Sequence, residues 1–122
     1  MIAVIFEMYP RAERRDAYFS MAADMRPLLD GVDGFLSVER FQSITDPSKF
    51  LSLSFWRDEE AVKNWRNYGR HRHAQHLGRT DMFDDYRLRV VSVIRDYGKF
   101  ERAEVPQDSL AHHDELTDGV AI

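Results

Sequence analysis

The chain has 122 residues and no cysteine. Disulfides, thiolate metal sites and a thiol nucleophile are therefore excluded, and a reducing cytoplasm is the expected setting. Long apolar runs are missing as well. None approaches the roughly 20 residues of a membrane-spanning helix, and the N-terminus does not read as a signal peptide. A basic excess is absent, since 17 Lys and Arg stand against 21 Asp and Glu. The net charge of −4 argues against nucleic acid as a partner, because neutralising phosphates takes a basic footprint. No nucleophile elbow, Walker loop, Rossmann glycine pattern or carboxylate pair occurs.

One further absence is local. Between Lys63 and Thr80 there is no acidic residue. The same stretch holds Trp65, three histidines (His71, His73, His76) and Arg66, Arg70, Arg72 and Arg79. An aromatic beside a cationic, titratable segment suits a flat, acidic or anionic ligand. It equally suits a core tryptophan beside a solvated helix. The opposite bias lies at the other end: six acids and two bases follow Tyr97, so the whole acidic excess sits there. Residues 99–122 lack a clear period and read as an acidic extension, poorly ordered or packed on a partner chain.

The length suits one domain, here residues 1–98, with enough chain to bury a core. Ile2–Tyr9 alternates as a strand and stops at Pro10. From about Arg11 to Leu29 a helix carries Tyr18, Met21, Ala22, Met25 and Leu29 on one stripe, with Pro27 expected to distort or shorten its last turn. A turn cluster at residues 30–34 leads into two strands, Phe35–Gln42 and Lys49–Trp56. Asp58 is a helix-start signal with Glu59 and Glu60 behind it. That helix is expected to present Ala61, Val62, Trp65 and Tyr68 inward, Gly69 is expected to break it, and a second piece runs from about Arg70 to Gly78. Phe83–Tyr97 reads as a last strand of about fifteen residues.

The order β-α-β-β-α-β predicts an α+β, ferredoxin-like fold with an antiparallel sheet. The first strand, and the last around Val90–Ile94, are apolar on both parities, whereas a lone sheet backed by helices is apolar on one. The last strand is also long enough to overhang its own sheet. Both features predict a homodimer with two sheets face to face. RNA-recognition domains share this order, but Lys49–Trp56 lacks the glycine and spaced aromatics that such domains need on the third strand.

Candidate site residues follow from chemistry. Trp65 is either core or the flank of a planar substrate. Of the three neighbouring histidines only His73 and His76 have helical ligand spacing, and no acid lies near to complete a site, so no metal is expected. A histidine of near-neutral pKa is instead suited to deprotonate a phenol or hydroquinone so that it can pass an electron to oxygen. Arg66, with Arg70, Arg72 and Arg79, is placed to clamp a carboxylate or to face water. Tyr86 shares a parity with Leu88 and Val90 and is expected on the inner face.

The short first strand with Pro10, Gly31-Val32-Asp33-Gly34-Phe35, Phe55-Trp56-Arg57-Asp58-Glu59-Glu60-Ala61 and Trp65-Arg66 form a pattern. His71 with Ala74-Gln75, Gly78-Arg79 and Asp85-Tyr86-Arg87-Leu88-Arg89-Val90 complete it. Over residues 1–98 this chain resembles the antibiotic biosynthesis monooxygenase (ABM) family of dimeric α/β barrels. The resemblance implies a pocket between the inner sheet face and the helices. It also implies oxygen activation without flavin or metal, or with haem as substrate and cofactor together. It makes His71 the first catalytic candidate and His76 the second, beside Trp65. Substrate contacts are expected from Trp65, Tyr68, Asn64, Tyr86, Arg66 and Phe6. Family haem degraders carry an Asn on the first strand and a His ten residues after the Trp; here the first strand has no Asn and the tenth residue is Gln75. Asn64, Trp65 and Tyr68 offer the residue types of the quinol oxygenases, although Asn64 points about 100° away from its neighbour Trp65. The implied function is oxygenation of an aromatic or polycyclic, quinol-like molecule. The alternatives are a non-catalytic dimer that binds haem or another hydrophobic ligand, and a haem-degrading monooxygenase.

Overall fold

Alternation along the first strand decides which side of the sheet the helices cover. In the computed structural model, which describes residues 1–77 and 81–110, β1 (Ile2–Pro10) pairs antiparallel with β3 (Phe50–Trp56) and with β4 (Phe83–Ser92). The strand β2 (Phe35–Gln42) pairs with β3, giving the order β2-β3-β1-β4. This is the α+β, ferredoxin-like sheet that the element order predicts. Ile2, Val4, Phe6 and Met8 pack toward the helices. Ala3, Ile5 and Glu7 alternate to the other face, where the register sets them beside Phe55, Leu53 and Leu51 of β3 and Val91, Arg89 and Arg87 of β4.

The last strand is shorter than its sequence suggests. The dense Val, Ile and Tyr pattern continues past Ser92, but pairing stops there because Ser92 already stands opposite Ile2, the first residue of β1. A strand ends where its partner ends. The expected overhang toward a second chain is therefore not present in β4, and the case for a dimer rests on the apolar open face alone.

A 3-10 turn at Ala12–Arg14 leads into α1 (Arg15–Asp30). Its stripe packs as the spacing requires, with Tyr18, Ala22 and Leu29 buried and Met21 and Met25 against the core. Pro27 does not shorten it; the helix runs on to Asp30, and Gly31 N–H closes onto the Leu28 carbonyl at 3.2 Å. Gly34 then has φ +88°, and a Cβ built there would stand 2.7 Å from Cβ of Ala61. Only glycine permits that backbone and that approach together. Arg57 forks onto Asp33 with Nη1–Oδ1 3.1 Å and Nη2–Oδ2 3.0 Å. The fork holds the Asp33 carboxyl below its ordinary range.

Asp58 caps α2 (Glu59–Arg66), its carboxylate accepting from Ala61 N–H at 3.0 Å. The helix ends earlier than expected. The break falls at Asn67 and Tyr68, and Gly69 opens α3 (Gly69–Leu77) instead of terminating α2. Two apolar clusters hold the helices to the sheet. One joins Met8, Tyr18, Phe50 and Met82; the other joins Leu29, Trp56, Ala61 and Trp65.

The chain divides into two compact units, Met1–Ser92 and Val93–Ile122. The second, described as far as Leu110, contains α4 (Gln107–Leu110) and a buried Val105. Asp96 N–H donates to Glu104 at 3.0 Å and Arg102 to the Gly98 carbonyl at 3.1 Å. Residues 111–122 of the expected acidic extension lie outside the described residues.

Candidate functional site

Small residues on the inner face of β3 make room for a cavity. Ser52 and Ser54 occupy positions where the opposite face carries Leu51, Leu53 and Phe55, and between sheet and helices lies a cavity of about 590 Å³. Its wall takes Phe6, Tyr18 and Met21 from the first apolar cluster and Val4, Met25, Trp56 and Trp65 from the second. Ser54 Oγ accepts from Trp56 Nε1 at 2.9 Å, so that buried hydroxyl serves the fold.

The chemistry of the cavity gathers at the α2–α3 junction. A helix end leaves carbonyls without partners, and here the Trp65 carbonyl accepts from Tyr68 N–H at 3.0 Å and from His71 Nδ1 at 3.1 Å. Because a carbonyl only accepts, Nδ1 carries the proton and Nε2 keeps the lone pair. The His71 ring also stacks on the Trp65 indole, with centroids 4.7 Å apart and an interplanar angle of 21°. Tyr68 stacks on the indole too, at 5.7 Å and 13°. Burial lowers the His71 pKa below the ordinary imidazole value; the bond to Trp65 opposes this and the nearby Arg72 charge reinforces it.

Phe6, Trp65, Arg66, His71, His76 and Tyr86 all line the cavity. Asn64 and Tyr68 do not. Asn64 is exposed on α2 because its neighbour Trp65, only 7% exposed, takes the inward position. Tyr68 buttresses Trp65 from the exposed side, 43% open to solvent. Both therefore stand outside the cavity wall. His73 is exposed, and among the described residues no three His, Asp or Glu side chains are grouped to hold a metal ion. Arg70 and Arg79 fall among side chains or segments outside the description.

Sequence reasoning missed Arg40 and Tyr18 as wall residues. Arg40 Nε donates to the Tyr18 hydroxyl at 3.4 Å across the cavity side of β2 and α1. Arg40 shares the parity of Val38, but β2 carries two apolar residues on each parity and a bulge near its start, so the strand pattern alone did not point inward at Arg40. Among the described residues that line the cavity none is acidic, while Arg40, Arg66, Arg72, His71 and His76 are cationic or titratable.

The ABM (antibiotic biosynthesis monooxygenase) family profile matches residues 1–77, from β1 through α3. The chain belongs to the antibiotic biosynthesis monooxygenase family. Within the ABM family it is 38% identical, over 96% of its length, to a Pyricularia oryzae protein named jasmonate monooxygenase ABM. The chain spans only 54% of that relative's length. It is 30% identical to the YqjZ protein of Bacillus subtilis, covering 76% of this chain and 79% of that one. In fold it is similar to Rv0793 of Mycobacterium tuberculosis, with a TM-score of 0.70, 16% identity, and coverage of 80% of this chain and 98% of the other. A Deinococcus radiodurans protein gives a TM-score of 0.69 at 14% identity, covering 80% and 97%. The ABM match includes Trp65, Arg66, His71 and His76 and stops before Tyr86.

Proposed function

We propose that this ABM-family chain is a monooxygenase for an aromatic or polycyclic, quinol-like small molecule, working without flavin or metal and as a homodimer. The observation that carries the reading is the tautomer of His71, set by its Nδ1 bond to the Trp65 carbonyl, in a residue that lines the cavity. Such a base takes the proton of a bound phenol, and the phenolate passes one electron to oxygen. Radical and superoxide join at a ring carbon bearing hydrogen, and the histidinium protonates the peroxide. That carbon then loses its hydrogen as a proton while the O–O bond breaks. The sum is phenol plus oxygen giving quinone plus water, with all electrons supplied by the substrate. Trp65 holds the ring flat, and Phe6 and Tyr86, 5.7 Å apart edge to face, limit its tilt.

The dimer reading rests on the open sheet face, where Phe41 and Val91 are exposed beside Ile5, Leu51, Leu53 and Phe55. The substrate named for the Pyricularia relative, jasmonate, is a second candidate ligand for the same cavity.

The test is oxygen uptake with a panel of naphthols, hydroquinones and anthrones in flavin-free, chelator-treated buffer. Protein-dependent uptake that collapses in His71→Asn supports the reading. No uptake with any member, or uptake untouched by the substitution, defeats it. A second reading, haem as occupant, draws on His76, the exposed imidazole of the wall, and on Arg66 and Arg72, which would pair with its carboxylates. When bound, haem supplies the iron that activates oxygen. Its signature is a saturable Soret shift on titration with haemin that His76→Ala removes.

A further inference from the structure

The cations around the cavity are not alike. Arg66 and Arg72 lie exposed on the helices, and Arg72 already donates to Asn67 Oδ1 at 2.6 Å and Gln75 Oε1 at 3.5 Å. Arg40 stands on the sheet, partly buried, on the same inward parity as Val38. Its only bond among the described residues is the 3.4 Å contact from Nε to the Tyr18 hydroxyl, and it makes no ion pair with a described carboxylate. Elsewhere on the same unit, Arg11, Arg14, Arg26, Arg57 and Arg89 each have one.

A guanidinium stays charged at any working pH, and withdrawing it from water without a counter-ion is costly. The cavity does not supply that counter-ion, since no acid lines it among the described residues. It does supply a matched pair of donors. Nε is given to the Tyr18 oxygen, which leaves the two Nη groups of Arg40 without a bond among the described residues and makes the Tyr18 O–H a donor beside them. A planar carboxylate accepts from a guanidinium fork and a hydroxyl at once. Met21, Met25, Val38 and Val4 give the same wall an apolar part.

We propose that Arg40 and Tyr18 form a carboxylate-binding subsite, and that the ligand of this cavity is an apolar ring compound carrying one carboxylate. The inference rests on the ligand cavity of the proposed function but not on its oxygen chemistry.

The test compares acids with their own methyl esters, jasmonate against methyl jasmonate and 1-naphthoate against methyl 1-naphthoate, by calorimetric titration of the whole chain. In each pair that binds, the acid is expected to bind more than about tenfold tighter than the ester, the scale of a charged hydrogen-bonded pair. Arg40→Met should abolish that ratio while leaving ester affinity in place, and Tyr18→Phe should narrow it. Arg40→Lys, which keeps the charge and loses the fork, should recover part of the ratio and guards against a folding defect in the Met variant. Equal binding of acid and ester overturns the proposal, as does a ratio that survives Arg40→Met. Failure of all four compounds to bind at millimolar concentration overturns it too. Neutral hydroquinones turned over without any acid preference would sink this subsite and leave the oxygenase reading standing. Acid-selective binding without oxygen uptake would do the reverse.

Discussion

His71 donates its Nδ1 proton to the carbonyl of Trp65 at 3.1 Å and stacks its ring on the indole of that same residue 4.7 Å away. One residue thus fixes the tautomer of the other through its backbone and its plane through its side chain. The carbonyl is available because α2 ends at Arg66, where a continuing helix would have claimed it.

The first consequence is a pH dependence. Burial depresses the folded pKa of His71 below the ordinary 6.5, so the folded state favours the neutral ring. Its contribution to stability is complete above pH 6.5 and is lost as pH falls through the lower folded value. Proton NMR of the imidazole should show His71 titrating below the ordinary 6.5, and any turnover should hold as pH falls past 6.5 until His71 itself protonates. A His71 midpoint at or above 6.5 would contradict the buried neutral ring. His71→Asn, which retains a donor near the Trp65 carbonyl, should keep the melting temperature close to wild type. It should lower turnover by about 10²–10⁴-fold, the usual share of a general base.

Trp65 is both core and wall, since it joins the cluster of Leu29, Trp56 and Ala61 and also lines the cavity. Trp65→Ala should therefore cost about 3–5 kcal/mol of stability together with ligand affinity. Trp65→Phe should fold and still lose affinity, because the stacked plane shrinks. Chemical denaturation alongside a ligand titration separates the two effects; a Phe variant with full affinity would make Trp65 core alone.

Gly34 turns the chain at φ +88° against the first turn of α2. Gly34→Ala should destabilise the fold by about 1–3 kcal/mol, through the positive φ and the approach to Ala61. Urea unfolding measures it. A neutral result would mean that α2 yields at its N-terminus, and Asp58 would then lose its bond to Ala61.

Leu53 stands on the open face between Ile5 and Glu39. If two sheets meet there, Leu53→Glu places two charges in the interface and should convert a dimer to a monomer in sedimentation equilibrium. An unchanged mass would show that copies of the chain do not associate through this face.

Much of this was readable from residue order. Strand parity, the Asp58 cap and the α1 stripe are local properties, set by neighbours two to four residues away, and all three appear in the fold. Trp65 was legible for the same reason. The end of β4 was not, because Val93 and Ile94 suit a strand as well as Val90 and Val91 do; what ends the strand is that β1 begins at Ile2. The break at Asn67 was missed because Gly69 is the stronger local signal, whereas the observed junction is closed by a ring arriving from His71.

By itself, then, the sequence determined the element order, the ferredoxin-like sheet, the absence of thiol chemistry and a cationic stretch around Trp65. Those follow from composition and from short periodicities, which act within one element. Only the tertiary structure decided which nitrogen of His71 is basic, that Asn64 and Tyr68 stand outside the cavity wall, and that Arg40 on β2 meets Tyr18 on α1. Each of these depends on groups brought together from different elements, and no local spacing encodes such a meeting. Burial and hydrogen bonding then set protonation and charge balance, because a group's chemistry is fixed by what surrounds it in space.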